Sequence, residues 1–417
     1  MPKQDKNIRR AAVSILRAWS KGHDYADSLI DKHARKNHLS PSDRGLLNAI
    51  ILAVLRNRRL LDFYIARLRH GKLDHETRDI LRVGLAQLLL LGIPAHAAVN
   101  ETVNCGRAPV RGLINAVLRK SIDKKKSLLT HAAELPPAEL YSHPDWLAKR
   151  WRGQFGKEES TLLMQWNNEP AETTLRLNSL RPESADLVGD ARLTPLAEVP
   201  GFYLLDGPVP REWTEAGLVY MQDPATRHSV ELLNPQPGEC VLDACAAPGG
   251  KAALIAAAMK NEGELLCTDS NELRLPRLEE NLSNLGVTIA KTQVFDWTQE
   301  PPAEWQQKFD AILLDVPCSN TGVLRRRVDA RWRLTPEQIE ALTQVQEAIL
   351  VNALQCLKPT GRIVYSTCSV ESDENENLVE PWAKGRNLTV VETRQSLPQR
   401  DEQDGAFAAL LRYREGL

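Results

Sequence analysis

The chain has 417 residues, 42% of them apolar and 26% charged, an ordinary balance for a globular protein of two to four domains at roughly 100–200 residues each. The net charge of −1 hides an asymmetry: residues 1–130 carry about 25 Lys/Arg against about 11 Asp/Glu, roughly +14, while the remainder is roughly −15. A basic first third on an acidic body suits contact with a polyanion, although a solvated helical surface accounts for it about as well.

Taken in chain order, residues 6–121 read as all helix. Apolar residues recur at three and four spacing, as in Ala12, Ile15, Leu16 and again in Leu47, Ile50, Ile51, Val54. Ser40-Pro41-Ser42-Asp43 starts a helix, and Gly71, Gly92 and Gly106 fall where helices stop. The first domain, a helical bundle, is set at 1–130. A Lys-rich connector (Asp123 to Lys126) and Pro136-Pro137 follow. Residues 138–220 read as a small α+β domain: helices over 144–155 and 157–167, then short strands over 173–177 and 202–205.

From 221 to 417 short apolar strands alternate with amphipathic helices. The strands are 239–244, 264–268, 311–315 and 362–366; the helices are 251–260, 271–285 and 335–357. Such alternation predicts a parallel sheet wrapped by helices. The most apolar stretch, Val83 to Val99, is about 17 residues and is broken by Gln87, Gly92 and Pro94, so a buried core helix is expected and not a membrane span. The N-terminal stretch has no long apolar segment, and no secretory leader is expected. Seven scattered cysteines without a CxxC pair give no zinc site and no disulfide scaffold. A cytoplasmic monomer with no metal is expected.

Five constellations carry chemistry. In VLDACAAPGGK (Val241 to Lys251) a strand enters a Gly-rich turn and a helix opens after it, which brings helix N-terminal amides up to a ligand. The spelling is neither GxGxxG nor GxxxxGK[ST], which lowers a dinucleotide or ATP. Asp269 ends the next strand, where an acid accepts from ribose hydroxyls; helix capping is the rival role. Asp296, in VFDW, follows a strand end and is an ordinary loop acid when taken alone. LLDVPCSNTGV (Leu313 to Val323) and IVYSTCSV (Ile363 to Val370) each run a strand into a cysteine, putting Cys318, with Asp315 before it, and Cys368 at one edge of one sheet. Arg325-Arg326-Arg327, then Arg331, Trp332 and Arg333, interleave cations with an indole, a pattern suited to phosphate contact and base stacking.

VLDACAAPGGK, DVPCSNTGV and YSTCS match, in order, the cofactor loop and the two cysteine motifs of the RNA cytosine-C5 methyltransferases of the Sun family, which the chain resembles over nearly its whole length. IPAHAAVNETV (Ile93 to Val103) and INAVLRK (Ile114 to Lys120) are similar to the NusB-like RNA-binding domain of that family's small-subunit ribosomal RNA branch. The resemblance implies three parts: an all-α NusB-like bundle, a small α+β domain, and a C-terminal α/β Rossmann-like methyltransferase domain. It implies S-adenosylmethionine as cofactor, held by Cys245, Ala246, Ala247, Pro248, Gly249, Gly250 and Lys251 with Asp269, Arg274, Asp296 and Asp315. It implies ribosomal RNA as partner, contacted by Arg325, Arg326, Arg327, Arg331 and Trp332. By the same carry-over Cys368 is the nucleophile toward C6 of a cytosine, Cys318 the thiol that assists release, and Asp315 a contact to the base, which must leave its stack to arrive. Three rivals stay open: a DNA-type enzyme with Cys318 as nucleophile, the same chemistry on transfer or large-subunit RNA, and a non-catalytic RNA-binding factor with a degenerate domain.

Overall fold

The computed structural model describes residues 7–22, 24–197 and 199–414. Lys6, where the helical reading begins, lies outside the described residues. The chain forms two compact units, one of residues 1–169 with 324–333, the other of 170–323 with 334–417.

The first unit is helical: α1 (Ile8–Trp19), α2 (Ala26–Lys36), α3 (Pro41–Arg56), α4 (Arg58–Leu68), α5 (His75–Leu85), α6 (Ala95–Val103), α7 (Ala108–Asp123), α8 (Lys125–Ala132), α9 (Pro137–Leu140) and α10 (Asp145–Trp166). The apolar spacing read from the sequence is the packed face: Ala12, Ile15, Leu16, Leu47, Ile50, Ile51 and Val54 all lie in one core. Ser40 caps α3 by accepting from the Asp43 amide at 3.1 Å, with Pro41 in the first turn. Gly84 lets α5 and α7 meet, since a Cβ there would stand 2.6 Å from the Leu118 side chain. The apolar run 83–99 is buried in part, but as the end of α5, a π-helical turn (Ala86–Leu90) and the start of α6, divided at Gly92 and Pro94. No helix among the described residues is long and apolar enough to cross a membrane.

α10 breaks at Gly156 (φ 82°, ψ 178°), between the two helices expected over 144–155 and 157–167. These residues group with the bundle and not with the following sheet. Hydrogen bonds from α4 hold them there: Arg59 donates to the His143 carbonyl at 2.6 Å, and the Leu60 amide to Ser142 Oγ at 3.1 Å.

The second unit holds two sheets. β1 (Thr174–Leu177), β2 (Leu193–Pro195), β3 (Phe202–Leu205) and β4 (Val219–Met221) form an antiparallel sheet of order β2-β3-β1-β4, with α11 (Arg211–Glu215) beside β4 in sequence. The chain continues through α12 (Arg227–Leu233), β5 (Cys240–Asp243), α13 (Gly250–Ala258), β6 (Glu264–Asp269), α14 (Leu275–Asn284), β7 (Ala290–Val294), β8 (Phe309–Asp315), α15 (Pro336–Gln355), β9 (Leu357–Thr367), α16 (Glu376–Lys384), β10 (Leu388–Ser396), α17 (Pro398–Asp401) and β11 (Ala406–Tyr413). The larger sheet has the order β10-β11-β9-β8-β5-β6-β7, parallel from β9 to β7, with β11 antiparallel to both its neighbours. Cores fill both faces, as burial of a parallel sheet requires. The order reverses between β5 and β8, and in such sheets the ligand crevice lies at that switch, beyond the strands' carboxyl ends. Register puts Asp243 opposite Leu313 and Asp315 opposite Ser366, so the ends of β5, β8 and β9 share one edge.

Candidate active site

β5 ends at Asp243 and delivers the chain into the Gly-rich loop. The Ala246 amide donates to the Thr268 carbonyl at 2.8 Å, and the Gly249 amide returns to the Ala246 carbonyl at 2.7 Å, closing a tight turn. Gly249 takes φ 105°, a left-handed conformation that favours glycine, and α13 begins immediately, leaving its first amides without intrahelical partners. Three braces hold the loop: Arg274 donates to the Ala247 carbonyl (2.7 Å), Asn281 to that of Pro248 (2.7 Å) and Arg176 to that of Gly250 (3.3 Å). Arg274 also pairs with Asp269 at 3.1 Å, and Asp269, buried at the end of β6, accepts from the Asn271 amide at 3.0 Å. Arg274 therefore links the loop to the β6 acid. Asp296 lies just past β7, exposed, and accepts from the Thr298 amide (2.9 Å) and hydroxyl (2.8 Å).

Three carboxylates crowd this edge. Asp243 is buried, and among the described residues neither of its oxygens meets a donor at good hydrogen-bond geometry, the Cys245 amide being the group that approaches it. Burial, with added repulsion from Asp315 and Asp269 against attraction to Lys251, pushes its pKa up to about 7. Asp315 makes a 2.6 Å ion pair with Lys251 of the Gly-rich loop. Burial opposes the Lys251 charge, but Asp315, with further help from Cys368 and Asp243, more than offsets it, so the lysine pKa stands above its ordinary value. The same carboxylates and, foremost, burial push the Cys245 thiol far up, which makes it a poor nucleophile.

The two cysteines come together. β8 leads through Val316 and Pro317 to Cys318, and β9 leads directly to Cys368; their sulfurs lie 3.3 Å apart, and both thiols are free. Cys318 is buried and Cys368 partly exposed. The Cys318 pKa is raised well above the ordinary thiol value by its hydrogen bond to Cys368, then by burial and the negative charges of Cys368 and Glu374. Asn320, whose φ of 59° lies in the left-handed region, turns its Oδ1 to Cys368 Sγ at 3.3 Å and donates to the Cys318 carbonyl at 2.7 Å. Sequence reasoning singled out both cysteines and Asp315, but neither Asn320 nor the Lys251–Asp315 pair. It also missed Glu374, which lies in an acidic run (SDEN) that reads as solvated surface.

The expectation for the arginine segment needs correction. Residues 324–333 belong to the helical unit, where several of these side chains are structural. Arg331 is fully buried and donates to Asn168 Oδ1 (2.7 Å) and the Asn167 carbonyl (2.8 Å), so it is unavailable to a phosphate. Trp332 donates to the Leu55 carbonyl at 2.8 Å and packs, half-buried, on the bundle core. Arg325 is buried with its guanidinium 4.2 Å from the Trp166 ring centre. Of the five residues, Arg327 is exposed and Arg326 half-buried. Among the described residues no group of three or more His, Cys, Asp or Glu is arranged to hold a metal ion.

Three family models match the chain: 16S rRNA methyltransferase RsmB/F over residues 230–412, the NusB family over 6–123, and the ferredoxin-like domain of RsmF/B-like methyltransferases over 143–190. The chain is 36% identical to ribosomal RNA small subunit methyltransferase B of Vibrio cholerae, covering 97% of each chain. It is 34% identical to the probable ribosomal RNA small subunit methyltransferase B of Synechocystis, covering 97% of this chain and 99% of that one. Its fold is that of the crystal structure of PH0851 (TM-score 0.78, 24% identity, 99% of each chain). A methyltransferase homologue from Pyrococcus horikoshii aligns with a TM-score of 0.56 at 26% identity, over 68% of this chain and 99% of that one. With matches to the NusB, ferredoxin-like and RsmB/F methyltransferase families in that order along the chain, and 34–36% identity to curated members over 97% of it, this protein belongs to the ribosomal RNA small subunit methyltransferase B family.

Proposed function

We propose that this protein methylates C5 of a cytosine in small-subunit ribosomal RNA through a covalent bond from Cys368 to C6. The observation that carries the reading is the pair of free thiols 3.3 Å apart beside the Lys251–Asp315 ion pair, where β5, β8 and β9 end.

The methyl donor is S-adenosylmethionine, and the crevice fits it by charge. Asp243, Asp269 and Asp315 outnumber Lys251 and Arg274, and both oxygens of Asp243 are buried without a well-aligned donor among the described residues. With its pKa at about 7, Asp243 ionises as a cationic ligand arrives, and the three carboxylates then suit a sulfonium and an ammonium. The residues to hold it are the 245–251 loop, whose helix amides and turn admit close approach, and Asp269 for ribose hydroxyls, with Arg274 bracing both; Asp296 is the further candidate. When bound, the cofactor supplies an electrophilic methyl.

Cytosine C5 is a poor nucleophile until a thiolate adds to C6. Cys368, the more exposed thiol, forms the S–C6 bond as the C5=C6 electron pair moves toward N3, which Asp315 favours by holding the base edge with a proton there. C5 then takes the methyl. Loss of the C5 proton to solvent restores C5=C6 as the S–C6 bond breaks and Cys368 regains the electron pair, and N3 gives back its proton. Cys318, which keeps its proton, is placed to protonate the departing sulfur. The burial of Cys318, next to the more exposed Cys368, speaks against it as the nucleophile. The small-subunit substrate rests on the relatives' names and the NusB domain. Incubation of unmodified small-subunit, large-subunit and transfer RNA with labelled S-adenosylmethionine, followed by nucleoside analysis, tests it: 5-methylcytosine from the first is expected, and label confined to another RNA or another base contradicts it.

A further inference from the structure

One carboxylate with no solvent access joins the two thiol loops. Glu374, six residues after Cys368, is fully buried in the short turn Ser372–Glu374. Its Oε1 accepts from the Ser319 amide at 2.8 Å and from Gln346 Nε2 at 3.0 Å. Its Oε2 accepts from the Ser369 hydroxyl at 2.6 Å and from the Ser319 hydroxyl. Ser319 follows Cys318 and Ser369 follows Cys368, so a single side chain grips the residue after each thiol. Gln346 extends the grip, donating to the Pro317 carbonyl at 3.0 Å and accepting from Tyr365 Oη at 3.1 Å.

We infer that Glu374 is the positioning residue that fixes the separation of the Cys318 and Cys368 sulfurs. A buried carboxylate is costly, and no Lys or Arg forms an ion pair with it among the described residues. Four donors satisfy it instead. An apolar side chain would fill the same volume at lower cost if the site needed only packing. The carboxylate is the group whose two oxygens can bind an amide and a hydroxyl on one loop and a hydroxyl on the other at once. Its negative charge also helps keep the proton on Cys318, the thiol that needs one for release. The inference rests on the catalytic reading of the thiols, but its first readout does not.

The test uses the full-length chain with phenylarsine oxide, which condenses with two thiols in near contact, losing one water and forming two As–S bonds. Peptide mapping locates the product. The wild type is expected to form the cyclic product at Cys318 and Cys368. Glu374→Leu, checked for an unchanged melting curve and S-adenosylmethionine Kd, is expected to bind the arsenical at least about tenfold more weakly, because the effective concentration of the second thiol falls. Methyl transfer by this variant is expected to drop about 100-fold in kcat with KM for RNA unchanged, as for a misplaced catalytic group. If Glu374→Leu does not fold, Glu374→Gln, which keeps the volume and one acceptor oxygen, is measured by the same two assays with the same direction expected. Wild-type arsenical affinity and kcat in a folded variant overturn the inference. So does a variant that loses cofactor binding together with kcat, since the network then serves the whole crevice. Wild-type protein that chelates the arsenical but transfers no methyl sinks the proposed function and leaves the clamp standing.

Discussion

Cys318 and Cys368 have their sulfurs 3.3 Å apart but in unlike surroundings: Cys318 is buried with its pKa pushed up, while Cys368 is partly open and faces Asn320 Oδ1. Thiolate character and access together set alkylation rates. Iodoacetamide at neutral pH is therefore expected to modify Cys368 at least about tenfold faster than Cys318. Time-resolved peptide mapping reads both rates, and faster labelling of Cys318 would contradict the division of roles.

Lys251 and Asp315 form a close pair between the Gly-rich loop and the end of β8. Removing one member of a largely buried pair strands the other, while removing both does not. Lys251→Met is expected to cost about 2–3 kcal/mol of stability and at least about 100-fold in methyl transfer. The double variant Lys251→Met/Asp315→Leu is expected to recover part of the stability and none of the activity. Denaturant melts of the four-member cycle measure the coupling, and additive losses would show the pair to be independent.

Folding raises the Asp243 pKa from 3.8 to about 7, mainly through burial. Between those values the folded protein holds a proton that the unfolded chain has released, so this group's contribution is present below about pH 4 and is lost as pH rises to about 7. At 1.36 kcal/mol per unit the loss is on the order of 4 kcal/mol. Asp243→Asn removes the dependence. In the cofactor-free protein, the stability gap between variant and wild type is expected to widen in the variant's favour from pH 4 to 7. A gap that does not change with pH would contradict the assignment.

Arg331 and Arg327 lie in one segment with opposite fates, the first buried and bonded to Asn167 and Asn168, the second exposed. Arg331→Ala is expected to destabilise the helical unit by roughly 3 kcal/mol through lost packing and orphaned acceptors. Arg327→Ala is expected to leave the melting temperature unchanged and to reduce the salt dependence of RNA binding by about one phosphate contact. Thermal melts and salt titrations separate the two, and a reversed pattern would restore Arg331 as a contact.

The strands that carry chemistry were legible because each is an apolar run that stops at an acid or a cysteine: β5 at Asp243, β6 at Asp269, β8 at Asp315, β9 before Cys368. The strands missed were those with weak or ambiguous patterns. β7 and β10 are largely exposed, with Lys291, Glu392 and Arg394 among their residues, and β11 (AFAALLRY) is an Ala- and Leu-rich run that periodicity cannot tell from a buried helix. Glu374 and Arg331 were hidden for a different reason: a charged residue reads as surface until its partners, distant in sequence, are known. Arg331 meets Asn168 from 163 residues away. Residues 324–333 follow Cys318 in sequence yet cluster with the helical bundle, through Val328, Trp332 and the Asp329 carboxylate, which accepts from Trp19 Nε1 at 3.1 Å and the Ala26 amide at 2.8 Å.

The most direct test compares wild type, Cys368→Ala and Cys318→Ala on unmodified small-subunit ribosomal RNA with labelled S-adenosylmethionine, scoring 5-methylcytosine and the protein–RNA adduct on denaturing gels. The predicted result is product from the wild type, neither product nor adduct from Cys368→Ala, and accumulated adduct from Cys318→Ala. Adduct from Cys368→Ala, with none from Cys318→Ala, would make Cys318 the nucleophile and contradict the account.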